Sequence, residues 1–532
     1  DSLTTVGERL YFYYLYVCEM DLSALTSAGQ VTIEYNPEMR WLDISGLVDV
    51  LGSVSIKGNG SLLIVDLGQL ATVGEDFYIN DNTVLGDLDV ASLTDVGGDV
   101  SLYSWDMSDW ALPMLANVGG SLIVDGSIFD GFVFPALTTV VGELYIQNTS
   151  IETIDISSFT TLGGLSITSN SLLTDLDCSG LTVLDGVLMI AHNPLLVNID
   201  MSSLVSVGSY FYITDNASLV DIEVSLLESV VGIFEVSANV LLEGLSFPAL
   251  VDAGEQLFVY SNPALLTIDF AVLETVVDSV VFWDLTLLEE LVLPSLSSTG
   301  YFYVEANPAL TTFVAASLID AEGLYIYTNP LLDTVGLATV EMVEKEVYFG
   351  FNDLLEDIDL TALESVGDVL EIEHNAALLN VDVGVLVEAG AVNFGNNNAM
   401  TDLVFVVEDV LGDFYVNNNT LLETLDAASL VNVGGDFNIY NNPAQTSLTI
   451  TNLEYVGEAF NIGALALETL SAPALLMVEG YLTIGSNADL LSFDLVLLET
   501  VGGYVSIQSN TLLETFTMQS FHTAYGDIDI EL

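Results

Sequence analysis

The sequence predicts an all-β fold, a single elongated parallel β-solenoid of about 24 coils of 22–23 residues, and three observations carry that reading. The first is an asparagine that returns through most of the chain, at Asn36, Asn59, Asn82, Asn148, Asn170, Asn193, Asn216, Asn239, Asn262, Asn307, Asn329, Asn352, Asn375, Asn398, Asn419, Asn442, Asn487 and Asn510. The second is a small residue some eight positions earlier, usually glycine, as at Gly74, Gly208, Gly254, Gly367, Gly390, Gly434 and Gly502. The third is the period-two segment between them, in which Phe211 and Ile213, or Leu324 and Ile326, face one way and Tyr212 or Tyr325 the other.

Each part of the unit follows from its residues. The alternating segment is a strand. Asparagine, often followed by proline as at Pro37, Pro194, Pro263 and Pro330, makes the turn, where no backbone N–H is needed. Leucines at short intervals and a second extended piece, such as TIDF, return the chain to the next glycine. The unit is too short for a strand plus a long helix, and no stretch holds a 3.6-residue apolar period. Because a solenoid grows by adding coils, residues 1–532 are expected to form one continuous repeat domain.

Asn36, Asn193, Asn216, Asn262, Asn307, Asn329, Asn375, Asn442 and Asn510 are expected to form a structural ladder. An inward asparagine at a turn satisfies backbone groups that cannot all pair with neighbouring coils. The glycines imply positive φ or close backbone approach. They are not phosphate-cradling loops, since neither a P-loop lysine nor a dinucleotide fingerprint accompanies them.

Segments such as LTDVGGDVSL, LVNVGGDFNIYNNP and LESVGDVLEIEHNAALLNVDV resemble receptor L-domain repeats, leucine-rich-repeat relatives found in growth-factor receptor ectodomains and fungal cell-wall glycoproteins. The FPALTTV and FPALVDAG return segments are similar to the fungal type. The resemblance covers nearly the whole chain and implies the fold and an extracellular or cell-surface location. Its motifs are packing motifs and imply no ligand.

The chain carries 76 acidic residues against Arg9, Arg40, Lys57 and Lys345, a formal net charge of −72. Nucleic acid and anionic membranes need basic patches and are excluded as partners. No apolar run reaches the roughly 18 to 20 residues that span a bilayer. Asp21, Asp43, Asp66 and Asp89 occupy one repeat position, as do Asp155, Asp177 and Asp200, then Asp359 and Asp382. Stacked strands lie ~4.8 Å apart, where like charges repel by roughly 0.8 kcal/mol even in water. These columns are solvated acidic faces that ask for concentrated salt or for calcium held diffusely by carboxylates. Neither an EF-hand loop nor a GGxGxD repeat is present, and no cofactor is expected.

A second column faces outward on the strand: Tyr78, Tyr145, Tyr212, Phe258, Tyr303, Tyr325, Tyr348 and Tyr415, with Tyr327 two positions away. It is unbroken from 303 to 348. Aromatics stabilise sheets by cross-strand packing, and exposed in series they also make an interaction surface for protein or sugar rings.

Catalysis finds little support. His192 and His374 share a repeat position eight coils apart, too far for one site, and His522 stands alone. Acids are so abundant that carboxylate pairs carry no information. Cys18 and Cys178 lie seven coils apart, beyond disulfide reach. Asn59, Asn148, Asn216 and Asn418 begin N-x-S/T sequons, several of them in the ladder column, where burial opposes glycosylation. The chain starts and stops inside repeats, which suggests head-to-tail stacking of copies into a filament. The expectation is therefore a non-enzymatic extracellular structural or adhesive protein, self-assembling and dependent on calcium or salt. The alternatives are a receptor-like ectodomain that binds glycan or protein through the tyrosine face, and a polysaccharide-active β-helix enzyme.

Overall fold

A computed structural model describes residues 3–105, 112–127 and 134–531, with the side chains of Ser104, Trp105 and Ser127 undescribed. The chain falls into two compact units, Asp1–Leu265 and Leu266–Leu532, built from the same coil. Among the described residues there are strands, turns and bends but no helix.

One coil of the first unit shows the plan. The short strand Ser206–Val207 leads to Gly208, the main strand Phe211–Thr214 follows, and after Asn216 and a turn the strand Asp221–Glu223 runs back. Phe211 and Ile213 are fully buried, while Tyr212 and Thr214 are half-buried on the outer side, as the period of two requires. The next coil pairs in parallel, Phe211 with Phe234, Tyr212 with Glu235 and Ile213 with Val236. This register stacks like on like: the Phe211 and Phe234 rings lie 4.7 Å apart and coplanar within 1°, with Phe247 packed edge-on against Phe234 at 4.9 Å. In the second unit Phe414, Phe437 and Phe460 continue the device at 5.4 and 5.3 Å. Each ring so buried contributes apolar area and favourable ring geometry.

The asparagine column is a hydrogen-bonded ladder. Asn36, Asn193, Asn216, Asn262, Asn307, Asn329, Asn375, Asn442 and Asn510 are all 0% exposed. At Asn216, Oδ1 accepts from the backbone N–H and the side-chain amide of Asn193 at 3.1 and 3.2 Å. Its Nδ2 donates to the carbonyls of Ile190 (2.9 Å) and Thr214 (3.1 Å) and to Asn239 Oδ1 (3.3 Å). One side chain thus serves the coil before it, its own coil and the coil after.

Two details correct the sequence reading, and a third decides between its alternatives. Asn148 is exposed, and Thr149 holds the rung, its N–H and hydroxyl both donating to Asn170 Oδ1 at 3.1 and 2.6 Å. Asn398 is likewise outside the ladder; Asn397 receives the Asn375 N–H at 3.1 Å and donates its own to Asn419 Oδ1 at 2.8 Å. The glycine column serves close approach rather than positive φ. Gly254 does have φ +74, but a Cβ on Gly208 would stand 2.2 Å from the Asp185 carbonyl oxygen and one on Gly367 1.9 Å from that of Glu344.

Positive φ instead falls on the residue before each rung, among them Asp215 (54), Ala238 (54), Thr328 (59) and Phe351 (57). An L-residue there costs roughly 1 kcal/mol or more. Ala238→Gly, which removes no side-chain contact beyond a methyl, is expected to raise stability by about 0.5–1 kcal/mol in urea denaturation. A loss of stability would show that the left-handed turn is not strained.

Candidate functional site

The outer residues of the main strands vary from coil to coil in each unit. In the first unit the aromatic column is diluted: the register runs Tyr11, Thr32, Ser55, Tyr78, then Ser101, Ile123, Tyr145, then Ser166, Met189, Tyr212, Glu235 and Phe258. These rings stand singly in the column. In the second unit Val281, Tyr303, Tyr325, Tyr348, Glu371, Asn393 and Tyr415 are consecutive partners, so three tyrosines follow one another in register and Tyr415 stands apart.

Around that series the structure assembles a compact cluster. Tyr303 and Tyr325 stack at 4.7 Å and 11°. Tyr301, two residues up the strand, stacks on Tyr303 at 6.1 Å, and Tyr327 meets Tyr348 at 5.5 Å. The rings lie flat because glycines underlie them: a Cβ at Gly323 would stand 2.8 Å from both the Tyr301 and Tyr325 rings. Three of the hydroxyls donate to carboxylates. Tyr301 donates to Glu322 Oε1 at 3.0 Å, Tyr325 to Glu346 Oε2 at 2.8 Å and Tyr348 to Glu373 Oε1 at 3.4 Å. Sequence reasoning missed Tyr301, although its place two residues before Tyr303 in YFY put it on the same face.

Burial, then the neighbouring carboxylates, push these phenols up: Tyr348 to about 12, with Tyr303, Tyr325 and Tyr327 also above their ordinary value. A raised folded pKa gives stability that is complete below the unfolded value of about 10 and is lost as pH rises through the folded value. Alkaline titration followed by tyrosinate absorbance is therefore expected to show a class of phenols whose ionisation is delayed past about pH 10 until the chain unfolds. A single transition near pH 10 would contradict the cluster.

Beside the rings lies an open groove of about 500 Å³ whose walls include Val277, Gly300, Asp320, Glu322 and Glu344. Lys345 reaches the edge of this acidic surface, its Nζ 2.7 Å from Glu322 Oε1 and hydrogen-bonded to the Tyr301 hydroxyl.

The aspartate columns are in register as expected: Asp21, Asp43, Asp66 and Asp89 pair in sequence, as do Asp155, Asp177 and Asp200, and Asp359 with Asp382. Each carboxylate also has a local task that the sequence reading overlooked. Asp21, Asp43, Asp66, Asp155, Asp200 and Asp382 accept the N–H two residues on at 2.9 to 3.0 Å, and Asp89, Asp177 and Asp359 do the same, which caps the following turn. Hydrogen bonds from Ser23 and Ser157 hold Asp21 and Asp155 below the ordinary carboxylate value. Among the described residues no group of three or more His, Cys, Asp or Glu side chains is placed to hold a metal ion.

The histidines are not brought together. His192 Nδ1 lies 2.6 Å from Asp215, in the first unit, whereas His374 stacks on Phe351 at 4.6 Å in the second. Cys178 is buried, which pushes its thiol up, and Cys18 is exposed; neither is bridged.

The sequence matches no family model and no curated protein. Among solved structures it is similar to the functional domain of InlJ from Listeria monocytogenes, which includes a cysteine ladder, at 16% identity over 86% of this chain and 79% of that one, with a TM-score of 0.21. It is also similar to TLR13 in its complex with ssRNA13, at 14% identity over 90% of this chain and 86% of that one, with a TM-score of 0.16.

Proposed function

We propose that this leucine-rich-repeat-like β-solenoid is a non-enzymatic extracellular or cell-surface repeat protein, adhesive or receptor-like, that binds a macromolecular partner through the outer face of its main strands. One observation carries the reading. The residues that recur from coil to coil are consumed by the coil itself, asparagine as ladder, glycine for close approach and aspartate as turn cap, whereas the Tyr301, Tyr303, Tyr325, Tyr327 and Tyr348 cluster departs from the repeat and lies half-exposed. Aromatic rings presented on a rigid sheet give contact area at little cost in conformational entropy.

The test is adsorption of the labelled chain to immobilised polysaccharides and to basic, neutral and acidic proteins, repeated with Tyr303→Ser/Tyr325→Ser/Tyr348→Ser. Loss of adsorption in a variant of unchanged melting temperature supports the reading. Adsorption indifferent to the tyrosines, or turnover of a polysaccharide, overturns it. Electron microscopy with and without millimolar calcium, at matched ionic strength, addresses the aspartate columns. Filaments that lengthen with calcium would replace the adhesive reading by a cation-dependent polymer.

A further inference from the structure

The tyrosine cluster already accommodates one ammonium group. Lys345 Nζ lies 5.1 Å from the centre of the Tyr301 ring while paired to Glu322 at 2.7 Å and bonded to the Tyr301 hydroxyl. The first unit holds a basic group on a tyrosine in another way, with the Arg9 guanidinium 4.1 Å over the ring of Tyr11 on its own main strand. Two of the chain's four basic side chains are thus held by tyrosines of main strands, one in each unit. The face offers more than Lys345 occupies. Tyr303 and Tyr325 present a stacked pair, and Glu305, Glu346, Glu371 and Glu373 lie on or beside the same strands. The adjoining groove adds Asp320 and Glu344.

We propose that this face docks an extended lysine- and arginine-rich segment of a protein partner, an inference that rests on the binding-surface reading above. The basic side chains lie over tyrosine rings, as Arg9 does, or meet their hydroxyls, as Lys345 does, and their charged ends pair with the glutamates between the rings. A neutral sugar would use the rings and leave most of the negative charge of those glutamates uncompensated, since apart from Lys345 on Glu322 their partners are neutral. The charge of −72 draws a basic partner in from a distance, and the rings fix where it settles. Lys345 is an internal occupant that the partner must displace.

The probe is a fluorescent oligolysine of about ten residues, titrated by anisotropy with the full chain at about 0.15 M salt. Tyr303→Ser/Tyr325→Ser/Tyr348→Ser, which leaves the net charge untouched, is expected to weaken binding roughly tenfold. Glu322→Gln/Glu346→Gln is expected to do the same without altering ring packing, and serves if the tyrosine variant fails to fold. Removing two acids elsewhere, by Asp353→Asn/Glu356→Gln, should change affinity by less than about twofold. Lys345→Ala should tighten binding about threefold or more by vacating Tyr301 and Glu322, which diffuse attraction to an acidic chain would not single out. Equal binding by all variants, or weaker binding by Lys345→Ala, overturns the proposal. Tyrosine-dependent adsorption to a polysaccharide or a neutral protein without oligolysine binding would sink this inference and leave the adhesive function standing. Adsorption independent of the tyrosines on every surface would sink that function as well.

Discussion

Asn216→Ala is expected to destabilise the chain by about 3–5 kcal/mol, out of proportion to the few atoms removed. The change leaves the Asn193 N–H and the Ile190 carbonyl without the partners that Asn216 supplied at 3.1 and 2.9 Å, in a place with 0% exposure. Each orphaned buried group costs roughly 1–3 kcal/mol, and the rung also ties Thr214 and Asn239. Urea denaturation gives the size of the loss, and hydrogen exchange at the Asn193 amide gives its location, since opening in a repeat array need not be global. A cost below about 1 kcal/mol would mean that water replaces the rung. The chain contains its own version of this experiment. Leu465 stands where a rung belongs, and the preceding coil compensates with Gln445, fully buried in a position that is usually leucine, whose Oε1 accepts from Asn442 Nδ2 at 3.1 Å. Gln445→Leu should therefore be costly, although it restores the commoner residue.

Gly367→Ala is the second large effect, expected at about 3 kcal/mol. Its Cβ would stand 1.9 Å from the Glu344 carbonyl oxygen, a backbone atom that cannot rotate aside as a side chain would. Gly395→Ala is the comparison. There the nearest atom is 3.5 Å away, and the change should be close to neutral. Thermal melting of the two variants separates close approach from any general penalty for alanine; equal shifts would remove the steric explanation.

The sequence disclosed the coil because packing and hydrogen bonding act identically in each repeat, so one requirement is written many times. Asn216 and Phe211 are legible for that reason. Asn398 was misplaced because Asn396, Asn397 and Asn398 offer three candidates while the interval varies, Glu143 pairing with Gly164 at 21 residues and Val31 with Val54 at 23. The left-handed residue was invisible because it is occupied by Tyr35, His192, Ala238 or Phe351, none of which announces positive φ. The turn-capping role of Asp43 was overlooked because the charge column drew attention to repulsion between coils rather than to the N–H of Ser45 two residues on. The tyrosine cluster was legible as a column, but Lys345 and Glu322 join it through side-chain reach that no spacing rule contains.

The ladder has a genetic consequence. An asparagine rung accepts from the preceding coil with its oxygen and donates its backbone N–H to the following rung, so most coils offer their neighbours the same handshake. A duplication or deletion of one whole coil by unequal recombination would preserve those bonds on both sides of the join. One that is out by a single residue would turn Phe211 and Ile213 outward and set a ring in place of an amide. Descent by copying is therefore permitted in steps of one coil and penalised between them, which makes coil number the property of this protein freest to change.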